Sequence, residues 1–247
     1  MKKEVQIRVY HDLHSNQNSK FRKYCDFVVG KRDVLSLFKF ELITFFCSWI
    51  PGALGFFLRS KIYPFLFKKC GKGVLFGKDI SFRHPHKIEI GNNVVIDDHC
   101  LIDAKGIDNQ GIRIGDKSFL GRNTILSCKN GDIHLGKNVN IGFNCYIFSG
   151  SQVSLADNVL MAAYCYLIGG DHDKIDSKEA TTSQGSSSYG IHVGENAWLG
   201  AGVKVQDGTS IGVCSIVGTG AVVTKNIPDY SVAVGIPARV IKQVPKP

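Results

Sequence analysis

The sequence predicts an all-β solenoid of stacked three-strand coils, preceded by an apolar helical segment. Three observations predict it. From residue 90 to residue 228 an aliphatic residue returns every sixth position, commonly followed by Gly, two polar residues and a small residue. Leu120-Gly121-Arg122-Asn123-Thr124, Leu135-Gly136-Lys137-Asn138-Val139 and Ile141-Gly142-Phe143-Asn144-Cys145 are clear copies. A period of six fits neither a helix nor a plain strand alternation, but suits a chain that turns a corner every six residues. Second, Gly or Asn recurs where a corner needs unusual backbone angles. Third, the 34–67 region is a different material, rich in Phe and almost free of charge over its first 25 residues.

Charge divides the chain in the same place. Residues 1–72 hold 14 Lys and Arg against 5 Asp and Glu, whereas residues 73–247 hold 16 of each. The repeat region is therefore neutral, which argues against a nucleic-acid partner, since binding nucleic acid calls for a basic stripe. Eight cysteines occur without a CxxC pair, against a zinc ribbon or a redox motif. Cys100, Cys145 and Cys165 sit at the fifth hexad position, where a small buried residue is wanted. A reducing compartment is expected, and no signal peptide is read at the N-terminus.

Taken in order, residues 1–33 read as a polar, solvated arm. Residues 34–72 read as two short helices split at Pro51-Gly52, apolar and aromatic with Lys and Arg at the flanks. That composition suits helices lying in a membrane interface. Packing on the end of the solenoid or on a partner subunit is the plainer alternative, and the Pro-Gly break argues against a true span. Residues 73–228 form the solenoid, with 73–89 an irregular entry. Coils start at Ile90, Ile114, Leu135, Leu155, Val193 and Ile211, separated by 24, 21, 20, 38 and 18 residues. With 18 as the basic coil, one excess of 20 residues stands out. It places a long loop over 171–190, and long loops inside compact domains usually carry function. Residues 229–247 read as a C-terminal cap and tail, with Ile227-Pro228 and Gly235-Ile236-Pro237 breaking the repeat.

The hexads, the loop with Asp171-His172-Asp173, the run Trp198 to Val203 and the stretch Val217 to Ile241 resemble the hexapeptide-repeat acyltransferases. Within them the chain is most similar to the galactoside, maltose and polysaccharide O-acetyltransferases. The resemblance covers about residues 74–242. It implies a left-handed parallel β-helix, a homotrimer, and acetyl-CoA held in a groove between neighbouring subunits. It implies His172 as the catalytic base, because a sugar hydroxyl attacks a thioester only as its proton is removed, and imidazole suits that task. Asn144 matches a residue at the edge of the active site. Trp198, Ala201, Thr219, Thr224, Lys225 and Arg239 are implied for coenzyme A, the last two near its phosphates. Asp171 and Asp173 could orient the imidazole.

The implied acceptor is a saccharide or lipid-linked glycan of bacterial surface-polysaccharide or glycolipid assembly. The implied setting is the cytoplasm, with peripheral contact at the inner face of the cytoplasmic membrane through residues 34–72. An N-acetyltransferase of an amino sugar or sugar nucleotide, and a non-catalytic scaffold, are the rival readings. No metal is expected. His99, His134 and His192 lie on separate coils, and the pair of His five residues apart that a trimeric zinc hydratase wants is missing.

Overall fold

The structure, a computed structural model, describes residues 3–4, 19–172, 185–243 and 245–246, and of residues 3, 4, 171 and 172 the backbone alone. The hexads wind into a three-sided prism whose sides are parallel sheets. Face one stacks Lys69–Cys70, Ile88–Ile90, Ile112–Ile114, Asp132–Leu135, Gln152–Leu155, Ile191–Val193 and Ser210–Ile211. Face two stacks Leu75–Phe76, Val95–Ile96, Phe119–Leu120, Asn140–Ile141, Leu160–Met161, Trp198–Leu199, Ile216–Val217 and Ser231–Val234, with antiparallel Arg239–Gln243 at its end. Face three stacks Ser81–Arg83, Leu101–Asp103, Ile125–Cys128, Tyr146–Ser149, Tyr166–Gly169, Lys204–Val205 and Val222–Val223.

The register follows from the hexad. Ile90, Ile114, Leu135, Leu155, Val193 and Ile211 stand directly above one another, each buried. Each first-position aliphatic points inward, so one-residue slippage would turn the whole set to solvent. Cys100, Cys145 and Cys165 are buried as expected, and their thiols reach the Gly121, Ala162 and Gly200 carbonyls at 3.2–3.3 Å. The fourth hexad position turns each corner in the left-handed region, as at Asn93, Asn123, Asn138, Asn144, Asn158 and Asn196. Asn tolerates that region better than most side chains.

The repeat runs further than the sequence suggested at both ends. Cys70 pairs with Ile90, so Gly71-Lys72-Gly73-Val74 is a regular corner, and the stretch 73–89 completes a coil made irregular by a 3-10 turn over Pro85–Lys87. Ile227 bridges Ile211, and Tyr230 takes the left-handed corner position at φ 54°. Ile227-Pro228 therefore continues the repeat; proline is tolerated because the position needs no ladder N–H there.

Three helices close the N-terminal end. Helix α1 (Lys20–Tyr24) runs into a wider turn over Cys25–Val29 and stops at Gly30, φ 75°. The Phe27 ring lies between Arg83 and Lys105, 4.1 and 4.3 Å from their charged groups. Both cations also pair with buried Asp103, at 3.5 and 2.9 Å. Residues 19–33 thus fold onto face three rather than hang as a solvated arm. Helix α2 (Val34–Cys47) starts where Asp33 accepts from the Ser36 amide at 2.8 Å, and helix α3 (Gly52–Ile62) follows the Pro51-Gly52 break. Their inner residues, with Tyr63 and Leu66, join the core beside Phe76 and Phe82 of the first coil.

Candidate functional site

The hexad alone would make all corners alike. The third hexad residue sets them apart. At the corner from face one to face two, its amide N–H is capped by a side chain from the next coil in four of the seven coils. Lys72 donates to Asn92 Oδ1, Asn92 to Asp116 Oδ1, Lys137 to Asp157 Oδ1 and Val213 to Asp229 Oδ1, all at 2.7–2.9 Å. Bonds of this kind hold the Asp116 carboxyl below its ordinary range, the Asn92 amide first among the causes. At the corner from face two to face three the first coil is capped as well, Lys78 donating to Asp98 Oδ1 at 2.7 Å, but in the later coils the same position carries Phe143, Ala163, Ala201 and Thr219. None has a carboxylate or amide to offer. Among the described residues the amide N–H groups of Ala163, Ala201 and Thr219 have no acceptor. A backbone donor without a partner is a ready recognition group for a ligand carbonyl.

The structure brings four of the sequence-derived residues to this corner. Trp198 lies outward on face two, beside Leu160 and Ile216 in the ladder, with 47% of its surface exposed. Ala201 and Thr219 stack one coil apart, where the Gly220 amide donates to the Ala201 carbonyl at 2.8 Å. Asn144 occupies the same corner lower down at φ 55°, its Oδ1 accepting from Asn123 Nδ2 at 3.1 Å. Arg239 belongs to the strand that closes face two, and the Ala238 amide donates to Val222 at 2.8 Å, which sets that strand above the corner. The Arg239 Nη1 donates to the Ala238 carbonyl at 2.9 Å.

Thr224 and Lys225 lie elsewhere, at the corner from face three back to face one. So does the long insertion, which leaves face three after Gly169 and rejoins face one at Ile191. Its ends form a hairpin in which Asp171–His172 runs antiparallel to Ser186–Ser188, and Lys3–Glu4 adds a third strand. The side chains of Asp171 and His172, and residues 173–184 with Asp173 among them, lie outside the described residues. The backbone nevertheless places His172 and Asn144 at opposite edges of face three. Four strand residues separate the edges, about 13 Å at roughly 3.3 Å per residue. Within one chain that span separates the backbone at the two edges.

Between those edges lies a feature that the sequence reading missed. Tyr146, Phe148 and Tyr166 form an outward aromatic cluster on face three, with ring centroids 5.6–6.4 Å apart. Phe143 and Tyr164 pack at 5.9 Å beside it, and Arg122 sits 5.5 Å from the Phe143 ring. The signal was available in Tyr146-Ile147-Phe148-Ser149, where the outward positions of a strand are aromatic instead of polar. Among the described residues, no group of three His, Cys, Asp or Glu is placed to hold a metal ion.

Comparison with known proteins agrees with the winding. The family described as the hexapeptide repeat of succinyl-transferase matches residues 133–167, 185–207 and 190–225. Those residues lie in the upper coils of the prism. It is 37% identical over 156 residues to the probable acetyltransferase Rv3034c of Mycobacterium tuberculosis, covering 63% of this chain and 44% of that one. It is 36% identical over 113 residues to galactoside O-acetyltransferase of Escherichia coli, covering 46% of this chain and 55% of that one. The matched region thus spans about half the length of these relatives. Among solved structures, a mutant of AntD, an N-acyltransferase from Bacillus cereus in complex with a dTDP-amino sugar and coenzyme A, aligns with TM-score 0.52. It is 20% identical and covers 73% of this chain and 85% of that one. The polySia-specific acetyltransferase NeuO aligns with TM-score 0.51 and 23% identity, covering 71% and 84%. At these identities the two structures establish a shared fold.

Proposed function

We propose that the chain is an acetyl-CoA-dependent O-acetyltransferase that modifies a saccharide hydroxyl, in surface-polysaccharide or glycolipid synthesis. The observation that carries the proposal is the corner where Ala163, Ala201 and Thr219 leave amides without acceptors beside exposed Trp198. A pantetheine arm is a chain of amides and suits a row of backbone donors along a hydrophobic edge. The sequence match to galactoside O-acetyltransferase supports a sugar acceptor and transfer to oxygen.

The site needs two copies of the chain. Asn144, Trp198, Ala201 and Thr219 occupy one edge of face three, and the insertion with His172 occupies the other. A homotrimer that lays one copy's insertion against the next copy's corner brings both halves together. The aromatic patch of Tyr146, Phe148 and Tyr166 lies between them, where such a neighbour would pack.

The reaction is a direct transfer. The His172 imidazole removes the acceptor hydroxyl proton as that oxygen attacks the thioester carbonyl. The negative charge moves to the carbonyl oxygen, where a corner amide donates to it. The C–S bond then breaks, the carbonyl re-forms, and the thiolate takes the proton from the imidazolium. Products are the acetyl ester and free coenzyme A, with no acyl-enzyme. All eight cysteines are free thiols, which supports the cytoplasmic, reducing setting in which such a donor would be met.

Release of coenzyme A, followed with a thiol reagent, tests the proposal across neutral and amino sugars. Turnover on hydroxyl acceptors supports it. Turnover restricted to amino sugars would replace it with N-acetylation. Absence of both turnover and coenzyme A binding would leave a scaffold.

A further inference from the structure

Helix α2 is apolar on two sides. Phe40 and Cys47 face the core, and Leu35, Phe38, Leu42, Phe45 and Trp49 face away from it. The outward set is spaced by three and four residues, so it makes one continuous stripe along the helix and its C-terminal turn. Leu35 is 82% exposed, Phe45 70% and Trp49 64%. On helix α3, Phe57 is exposed as well. A helix apolar all round is normally buried, and here its outer half is exposed among the described residues. Exposed apolar surface of this extent marks a binding face.

The face is also held rigidly. Arg59, 1% exposed, donates through Nε to the Phe76 carbonyl at 2.9 Å and through Nη1 to the Ile50 and Cys47 carbonyls at 2.7 and 3.2 Å. One guanidinium thereby fastens the end of α2, the turn before α3 and the first coil of the prism. Gly55 permits the turn, because a Cβ there would run into the Ile50 carbonyl.

We propose that the outer face of α2 and α3 docks on an anionic lipid surface. Charge selects this occupant. On α2, Lys39 flanks the stripe on one side and Glu41, bonded to the Tyr24 hydroxyl, on the other; Lys61 lies 6.0 Å from the Phe57 ring on α3, and exposed Lys68, paired with Glu89 at 2.7 Å, and Lys69 follow. Residues 1–72 hold nearly three basic groups for each acidic one. A second copy docked on the same face would oppose lysine with lysine, whereas anionic headgroups complement them. Aromatic side chains with a basic border are the composition of an interfacial helix. Among the described residues no helix is long and apolar enough to cross a membrane, which suits docking in the interface plane. The proposal stands independently of the acyl-transfer reading.

Flotation of the full chain with phosphatidylcholine vesicles, with and without phosphatidylglycerol, tests it. The full chain should float with the anionic vesicles and lose that binding as salt is raised. Leu35→Ser/Phe45→Ser/Trp49→Ser should bind at least tenfold more weakly, with circular dichroism and oligomeric mass unchanged. Lys61→Gln/Lys68→Gln/Lys69→Gln, which leaves the apolar face intact, should lose the preference for anionic vesicles. In a Trp198→Phe chain, Trp49 emission should shift to the blue on adding vesicles. Full flotation of the serine variant, or no flotation of the native chain, would overturn the proposal. A serine variant of reduced oligomeric mass, with no vesicle binding by the native chain, would assign the face to a second copy instead.

Discussion

The Arg59 guanidinium donates to the Phe76 carbonyl at 2.9 Å, tying a helix to the first coil of the prism from a fully buried position. Replacing Arg59 by Met removes a buried cation and strands three carbonyl acceptors. Each stranded acceptor costs about 1–3 kcal/mol, so a loss of roughly 3–5 kcal/mol is expected, allowing for partial relaxation. Thermal unfolding should show this loss. Arg59→Lys should restore little, because an ammonium cannot reach Phe76, Cys47 and Ile50 with the planar geometry of the fork.

Stacking distance separates two corner glycines. A Cβ at Gly200 would lie 2.7 Å from the Thr219 amide nitrogen and 3.0 Å from its Oγ1, whereas one at Gly220 would meet nothing within 4 Å. Gly220 is left-handed at φ 71°, a position that Asn fills at residues 123 and 144. Gly220→Asn should therefore change stability by less than the roughly 1–2 kcal/mol left-handed penalty of most side chains, because Asn tolerates that region. Gly200→Ala should cost more, about 1–3 kcal/mol as for other overpacked sites. It should also weaken coenzyme A binding by displacing Thr219. Unfolding curves and calorimetric titration with coenzyme A read the two effects.

Acid should release the N-terminal cap. His84 is buried, and burial pushes its imidazole down to about 4; His86 is likewise lowered to about 4, with burial the leading cause. The His84 Nε2 donates to the Asp26 carbonyl at 2.8 Å, a bond that favours the charged ring, but burial outweighs it, and among the described residues Nδ1 has no acceptor for a second proton. Both folded values lie below the unfolded value near 6.5. The unfolded chain therefore binds more protons between those limits, and stability falls as pH drops from about 6.5 toward 4. At higher pH this contribution is fully present. A chain with His84→Gln should have a flatter stability profile over that window in denaturant titrations.

The opposite placement of His172 and Asn144 on face three predicts complementation between copies. His172→Ala and an Ala201→Trp chain, whose side chain would fill the corner, should each lose at least about a hundredfold in turnover, the lower range of general-base effects. Mixed and reassembled, they should recover activity, because some sites then pair an intact insertion with an intact corner. Failure to recover in mixed oligomers, demonstrated by mass, would place both residues in one chain's site.

Much of the fold was legible because a hexad states its own register. Ile90 to Ile211 appeared in the sequence as coil starts and stack as such. The terminal coils were harder to read, since Cys70 stands where an aliphatic residue was expected and Pro228 and Tyr230 disguise a normal corner. Arg59 gave no signal, because a basic residue within an apolar run reads as exposed until three carbonyls are seen around it. The gathering of Trp198, Ala201 and Thr219 was legible from resemblance. Which corner amides are capped needed the hydrogen bonds themselves, although Asp116, Asp157 and Asp229 supply caps on one side and Ala163 and Ala201 have none to supply on the other.

The most direct test is steady-state acetyl transfer to saccharide acceptors by the native chain and by His172→Ala, with coenzyme A affinity measured on both. The account predicts turnover by the native chain, a loss of at least about a hundredfold in kcat for the variant, and unchanged coenzyme A affinity. Full activity of His172→Ala, or a native chain that binds coenzyme A and acetylates nothing, would contradict it.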